Sequence, residues 1–163
     1  MLRLSFRNGI YLGLAPAVLI AAWLHFLWQP KRQVQLHSVH FLQAVQQKSW
    51  SAVDEFVDDR YHDQWGHDRE LLRSHLRDVL RSMRNLRIHS QEIAVRAANG
   101  RGEWRGRITV QADPNEVTAS VKERVNTLKT PFELQWQQQS GKPWHWKLVT
   151  VANPGLELPA GYD

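Results

Sequence analysis

The chain has 163 residues, 42% of them hydrophobic, no cysteine and a formal charge of +5. Eight Trp, five Phe and three Tyr supply enough apolar area for a core, which excludes a disordered chain. The lack of cysteine excludes a disulfide scaffold, a thiolate metal site and a cysteine nucleophile.

Residues 1–8 form a short basic flank with Arg3 and Arg7. The next segment, 9–28, reads GIYLGLAPAVLIAAWLHFLW and carries no formal charge. A helix of roughly 20 residues crosses about 30 Å of hydrocarbon. Tyr11 near one end, and Trp23 and Trp28 toward the other, suit the aromatic belt of a bilayer interface. Lys31 and Arg32 follow. The segment therefore reads as a transmembrane helix and an uncleaved single-pass anchor, with the lipid bilayer as its partner. A cleaved signal would end in small residues, and this run ends in bulky ones. A signal anchor of this kind places the following domain outside the cytoplasm, in the periplasm of a bacterium, although the flanking charges are tied at two each. Setting Arg3, Arg7, Lys31 and Arg32 aside from the 21 basic residues leaves 17 against 16 acidic ones. So nearly neutral a domain lacks the electrostatic footprint of a nucleic-acid binder.

Gln29-Pro30 ends the span, and 29–36 reads as a polar linker. A single domain then fills 37–153, and 154–163 reads as a loose tail. Val39, Leu42 and Val45 predict a helix over 37–48. Ser49 or Ser51 is the expected cap of a short helix over 52–59. Gly66 marks a turn, and Asp68 is placed to cap a third helix over 69–83. That helix carries Leu72, Leu76, Val79, Leu80 and Met83 on one side and Arg73, Arg77, Arg81 and Arg84 on the other. After Asn85 the period falls to two. Leu86, Ile88, Ile93 and Val95 alternate with polar residues, and Asn99-Gly100 is a hairpin turn. Trp104, Ile108 and Val110 continue on the returning strand. Val117, Val121 and Val125 predict a short helix over 116–126. Strands follow over 131–139 and from Trp144 to Ala152, the latter with Trp144 and Trp146 on one face. Helices first, then hairpin-linked strands, is an α+β pattern in which a curved, mainly antiparallel sheet folds over three helices.

The order of elements and the phrase DEFVDDRYHDQWG (54–66) resemble the nuclear transport factor 2-like (NTF2-like) superfamily, a cystatin-like cone. The resemblance covers 37–152. Members include ketosteroid isomerases, SnoaL-like enzymes, non-enzymatic binding modules and the periplasmic domains of some single-span secretion components. The last group is similar in layout to this chain.

The resemblance implies a cone cavity, and Tyr61, Trp65, Trp104 and Trp136 are its expected lining. The bland alternative is that they fill the core, as aromatics usually do. Asp58, Asp59 and Asp63 lie where a cone enzyme keeps a general acid or base, but three acids around Arg60 and His62 also suit a solvated turn. The isomerase set of a base and two donors does not map onto these residues. His62-Asp63 and His67-Asp68 match no established metal loop, so no metal and no cofactor are assigned. The arginine stripe Arg73, Arg77, Arg81 and Arg84 is the candidate lipid or acidic-partner surface. The expectation is a membrane-anchored domain with a protein-interaction or scaffolding role, more a module than an enzyme, with a protein partner or a second copy of itself. The alternative is a tethered small-molecule binder or lyase/isomerase-type enzyme. Cavity volume separates the two.

Overall fold

Helix α1 (Phe6–Leu27) and helix α2 (Pro30–Gln46) are parted at a single proline. The structure, a computed structural model, describes residues 6–157, with side chains from Pro16 onward. Gln29 is extended (φ −57°, ψ 132°), because the ring of a following proline excludes the helical backbone there. Pro30 opens α2 at a position whose N–H needs no partner. The expected polar linker 29–36 is therefore helical from Pro30. It is also partly core: Gln33 and Val34 are buried, and Gln33 Nε2 donates to the Leu27 carbonyl at 2.8 Å, closing the end of α1.

Among the described residues, no helix is long and apolar enough to cross a membrane. The expected span falls partly on side chains, 9–15, that lie outside the described residues. Those that are described on α1 include Val18, Leu19, Ile20, Trp23 and Phe26, all exposed.

Helix α3 (Trp50–Phe56) starts two residues earlier than expected. Ser49 stands at its N-cap without a side-chain cap bond. Helix α4 (Arg69–Arg81) is capped by Asp68, whose carboxylate accepts from the Leu71 N–H at 2.9 Å. Strands β1 (Arg87–Ala98) and β2 (Arg101–Gln111) are joined by Asn99 and Gly100, both at positive φ (51° and 71°), as a primed turn requires. Helix α5 (Glu116–Asn126) is capped by Asn115 and leads to β3 (Phe132–Gln138) and β4 (Trp146–Ala152). The sheet is antiparallel in the order β1-β2-β3-β4.

The sheet's inner face carries Val95, Trp104, Leu134, Trp136, Trp146 and Leu148, all buried. Against them lie Val34, Phe41, Leu42 and Val45 of α2 and Val53 of α3. Phe41, Phe56 and His37 meet Trp136 edge-on at 5.7–6.3 Å. Ile93 departs from the expected alternation. It is the extra residue of a β-bulge between Glu92 and Ala94, and the bulge turns it outward. Trp144 departs too. It lies in the turn before β4 and is 51% exposed. The tail from Pro154 is docked rather than loose as far as it is described. Leu156 N–H bonds the Asn153 carbonyl, and the Leu156 carbonyl receives the Trp65 indole at 2.9 Å.

Candidate functional site

The segment from Val57 to Asp68 holds most of the chemistry-bearing residues. It runs beside β4, with Asp58 N–H on the Leu148 carbonyl (2.9 Å) and His62 N–H on the Val149 carbonyl (3.1 Å). This edge pairing draws Asp58, Tyr61 and Asp63 inward and leaves Asp59, Arg60 and His62 outside.

Asp63 is 5% exposed and is the hub of the loop. One carboxylate oxygen accepts the N–H groups of Trp65 and His67, each at 2.9 Å. The other accepts His67 Nδ1 at 3.0 Å and the Tyr61 hydroxyl at 3.4 Å. The His67 ring meets His75 of α4 edge-on at 4.7 Å. Burial, together with the adjacent Asp63 carboxylate, pushes the Tyr61 phenol well above its ordinary range. Asp58 is 6% exposed and is also occupied: it accepts the Arg60 N–H at 2.8 Å and the Gln139 amide at 2.5 Å. Asp59 is solvated and pairs with Arg69. Asp63 thus holds donors of its own loop, Asp58 ties the loop to Gln139 beyond β3, and Asp59 is left exposed.

The aromatics separate. Trp104 and Trp136 are 1% exposed core residues. The Trp136 indole donates to Ser38 Oγ at 2.9 Å. Trp65 is half-buried and covers the docked tail. The expected lining residues are therefore distributed between core and loop and do not surround one chamber.

The arginines separate as well. Arg73 pairs with Asp54 of α3 at 3.0 Å. Arg77 lies over the Trp50 ring, 5.8 Å from its centroid. These two fasten α4 to α3. Arg81 and Arg84 are exposed, with no ion pair among the described residues.

A cleft of about 500 Å³ lies at the sheet, among Arg96, Arg101, Glu103, Gln135, Trp136 and Gln137. Of the expected lining residues Trp136 borders it, and Tyr61, Trp65 and Trp104 do not. A smaller one of about 300 Å³ lies near His89, Arg107, Asn126 and Phe132. Neither is lined by Asp58, Asp63 or His67. Among the described residues, no group of three or more His, Asp or Glu is placed to hold a metal ion.

Sequence reasoning missed Gln64 and Asn153. Gln64 bonds both the N–H and the carbonyl of Asn153, at 3.0 and 2.7 Å. The buried Asn153 side chain in turn holds Thr130 and the Gly155 N–H. Partners so far apart in the chain leave no local signal.

No protein-family model matches the sequence, and no curated protein matches it. Solved structures do match in shape. One is the structure of Bdellovibrio bacteriovorus Bd1075 (TM-score 0.57, 11% identity, 79% of this chain and 41% of that one). This chain thus spans less than half of that protein. Another is a Nostoc punctiforme protein of unknown function with a cystatin-like fold (TM-score 0.55, 17% identity, 79% and 95%). A third is an NTF2-like protein of unknown function from Pseudomonas putida (TM-score 0.56, 9% identity, 74% and 82%). The fold is the NTF2-like cone. At these identities the likeness speaks for shape alone, and an NTF2-like shape serves many tasks.

Proposed function

We propose that this chain is a single-pass membrane protein whose NTF2-like domain serves protein interaction or scaffolding. The observation that carries the reading is α1. Val18, Leu19, Ile20, Trp23 and Phe26 leave it on several sides and are exposed. An apolar helix without protein cover is stable in lipid and a liability in water. The stretch from Pro16 to Leu27 reaches about 18 Å on its own. Spanning therefore draws on 9–15 as well, which the sequence supplies without a formal charge.

Two features favour interaction over catalysis. Aromatic rings pack the inner face of the cone, and both buried carboxylates are taken up by structural donors, Asp63 by its own loop and Asp58 by Arg60 and Gln139. Arg81 and Arg84, the exposed half of the arginine stripe, are the proposed contacts for an acidic protein surface. The domain is proposed to lie outside the cytoplasm.

Carbonate washing of membranes from cells making the full chain is expected to leave it in the pellet; release into the supernatant overturns the anchor. Protease added to intact spheroplasts is expected to digest the domain; protection reverses the orientation. A photo-crosslinker at Ser82 is expected to give a discrete product in intact membranes, lost in Arg81→Glu/Arg84→Glu with an unchanged melting temperature. A product of twice the chain's mass identifies a second copy as the partner, and absence of any product removes this surface from the reading.

A further inference from the structure

Trp144 has no part in the core, yet it is held firmly. It sits at 51% exposure in the turn between β3 and β4. That turn is cross-braced: the Gln139 N–H bonds the His145 carbonyl at 2.9 Å, the Gln138 amide bonds the Lys142 carbonyl at 3.0 Å, and the Trp146 indole bonds the Pro143 carbonyl at 2.7 Å. The turn thus presents an exposed indole on a hydrogen-bonded mount.

Its neighbour is Trp28, 116 positions earlier, at the foot of α1, with ring centroids 6.0 Å apart. Trp28 is itself 41% exposed. Lys31 and Lys142 are exposed beside the two rings in the chain. Two indoles at the end of an apolar helix, flanked by lysines, are the side chains that settle at the headgroup level of a bilayer. Trp28 would reach that level wherever α1 inserts. Trp144 would not, unless this corner of the cone faces the membrane.

We infer that the β3–β4 turn is a second membrane contact, in which Trp144 beside Trp28 enters the interfacial layer of the phospholipid bilayer and seats the cone with that corner down. The occupant is lipid rather than protein because Trp28 follows directly on the exposed apolar surface of α1, and the exposed Lys31 and Lys142 lie within three residues of the two rings, which suits phosphate headgroups. The inference rests on the anchor reading, and the two fail separately.

The chain has no cysteine, so a single label can be placed at will. Gly141 has open space where a side chain would go, so Gly141→Cys accepts one beside Trp144 without moving it. The full chain, labelled there with an environment-sensitive fluorophore, is reconstituted in protein-free phosphatidylcholine/phosphatidylglycerol vesicles. A second preparation carries the label at Gln111→Cys, at the opposite end of β2. Flotation with the vesicles reports the anchor. Quenching by brominated lipid reports the turn. The expected result is flotation of both, with quenching at 141 and none at 111. Trp144→Ala should abolish the quenching at 141, and Trp144→Tyr, which keeps an amphipathic ring, should restore it. Flotation with an unquenched label at 141, or quenching indifferent to Trp144→Ala, overturns the second contact and leaves the anchor standing. Failure to float overturns both.

Discussion

Asp63 shows how one residue can resemble a catalytic group and be a structural one. A buried carboxylate beside a histidine and a tyrosine has the composition of an acid–base site. Its four donors, however, come from residues 61–67, so its charge is spent on organising its own loop. Asp63→Ala leaves those buried donors unpaired and is expected to destabilise the domain by about 3 kcal/mol in urea unfolding. Asp59→Ala removes only an exposed ion pair and is expected to cost under about 1 kcal/mol. Equal losses for the two variants would show that the hub is not at Asp63.

At the level of elements, the inner face of β2 alternates Gly102, Trp104 and Gly106. The glycines are steric, not conformational. A Cβ on Gly106 would overlap the Trp104 ring and come within 2.9 Å of the Gln91 carbonyl oxygen. Trp104 thus lies over the next glycine of its own strand. Gly106→Ala is expected to cost about 1–3 kcal/mol by overpacking. Gly141→Ala, in open space, is expected to stay within about 0.5 kcal/mol. Urea midpoints compare the two, and a neutral Gly106→Ala would mean that the strand yields at the bulge opposite. The arginine stripe carries the same lesson for α4. Helical periodicity put all four arginines away from its apolar stripe, but α3 approaches that flank and takes up Arg73 and Arg77.

For the whole molecule, His37 links acidity to stability. It lies in the aromatic cluster, with Nδ1 on the Gln33 carbonyl at 2.8 Å and the Trp144 carbonyl also facing the ring. Burial lowers its pKa from the ordinary 6.5, opposed by those two carbonyls and aided by His40 and His145. Between the lowered folded value and 6.5 the unfolded chain takes up the extra proton. This contribution to stability is therefore complete above pH 6.5, falls as the pH drops below it, and levels off below the folded value. Melting temperatures of the wild type are expected to decline more steeply below pH 6.5 than those of His37→Gln. Parallel declines would place the acid sensitivity elsewhere.

Local patterns determined much of this protein. Periodicity marked α4, β1, β2 and α5, Asp68 and Asn99-Gly100 marked a cap and a turn, and the element order pointed to the cone. These signals are local because helix and strand spacing repeat within a few residues. The linker was misread because Gln33 looks polar in sequence, and only packing against the sheet decided that its turn of helix is core. The fates of Asp58, Trp144 and Arg73 were likewise set by partners from distant elements: Gln139 from beyond β3, Trp28 from α1, Asp54 from α3. Burial is a property of the assembled fold, so the sequence nominated the residues of the site and the tertiary structure assigned their work.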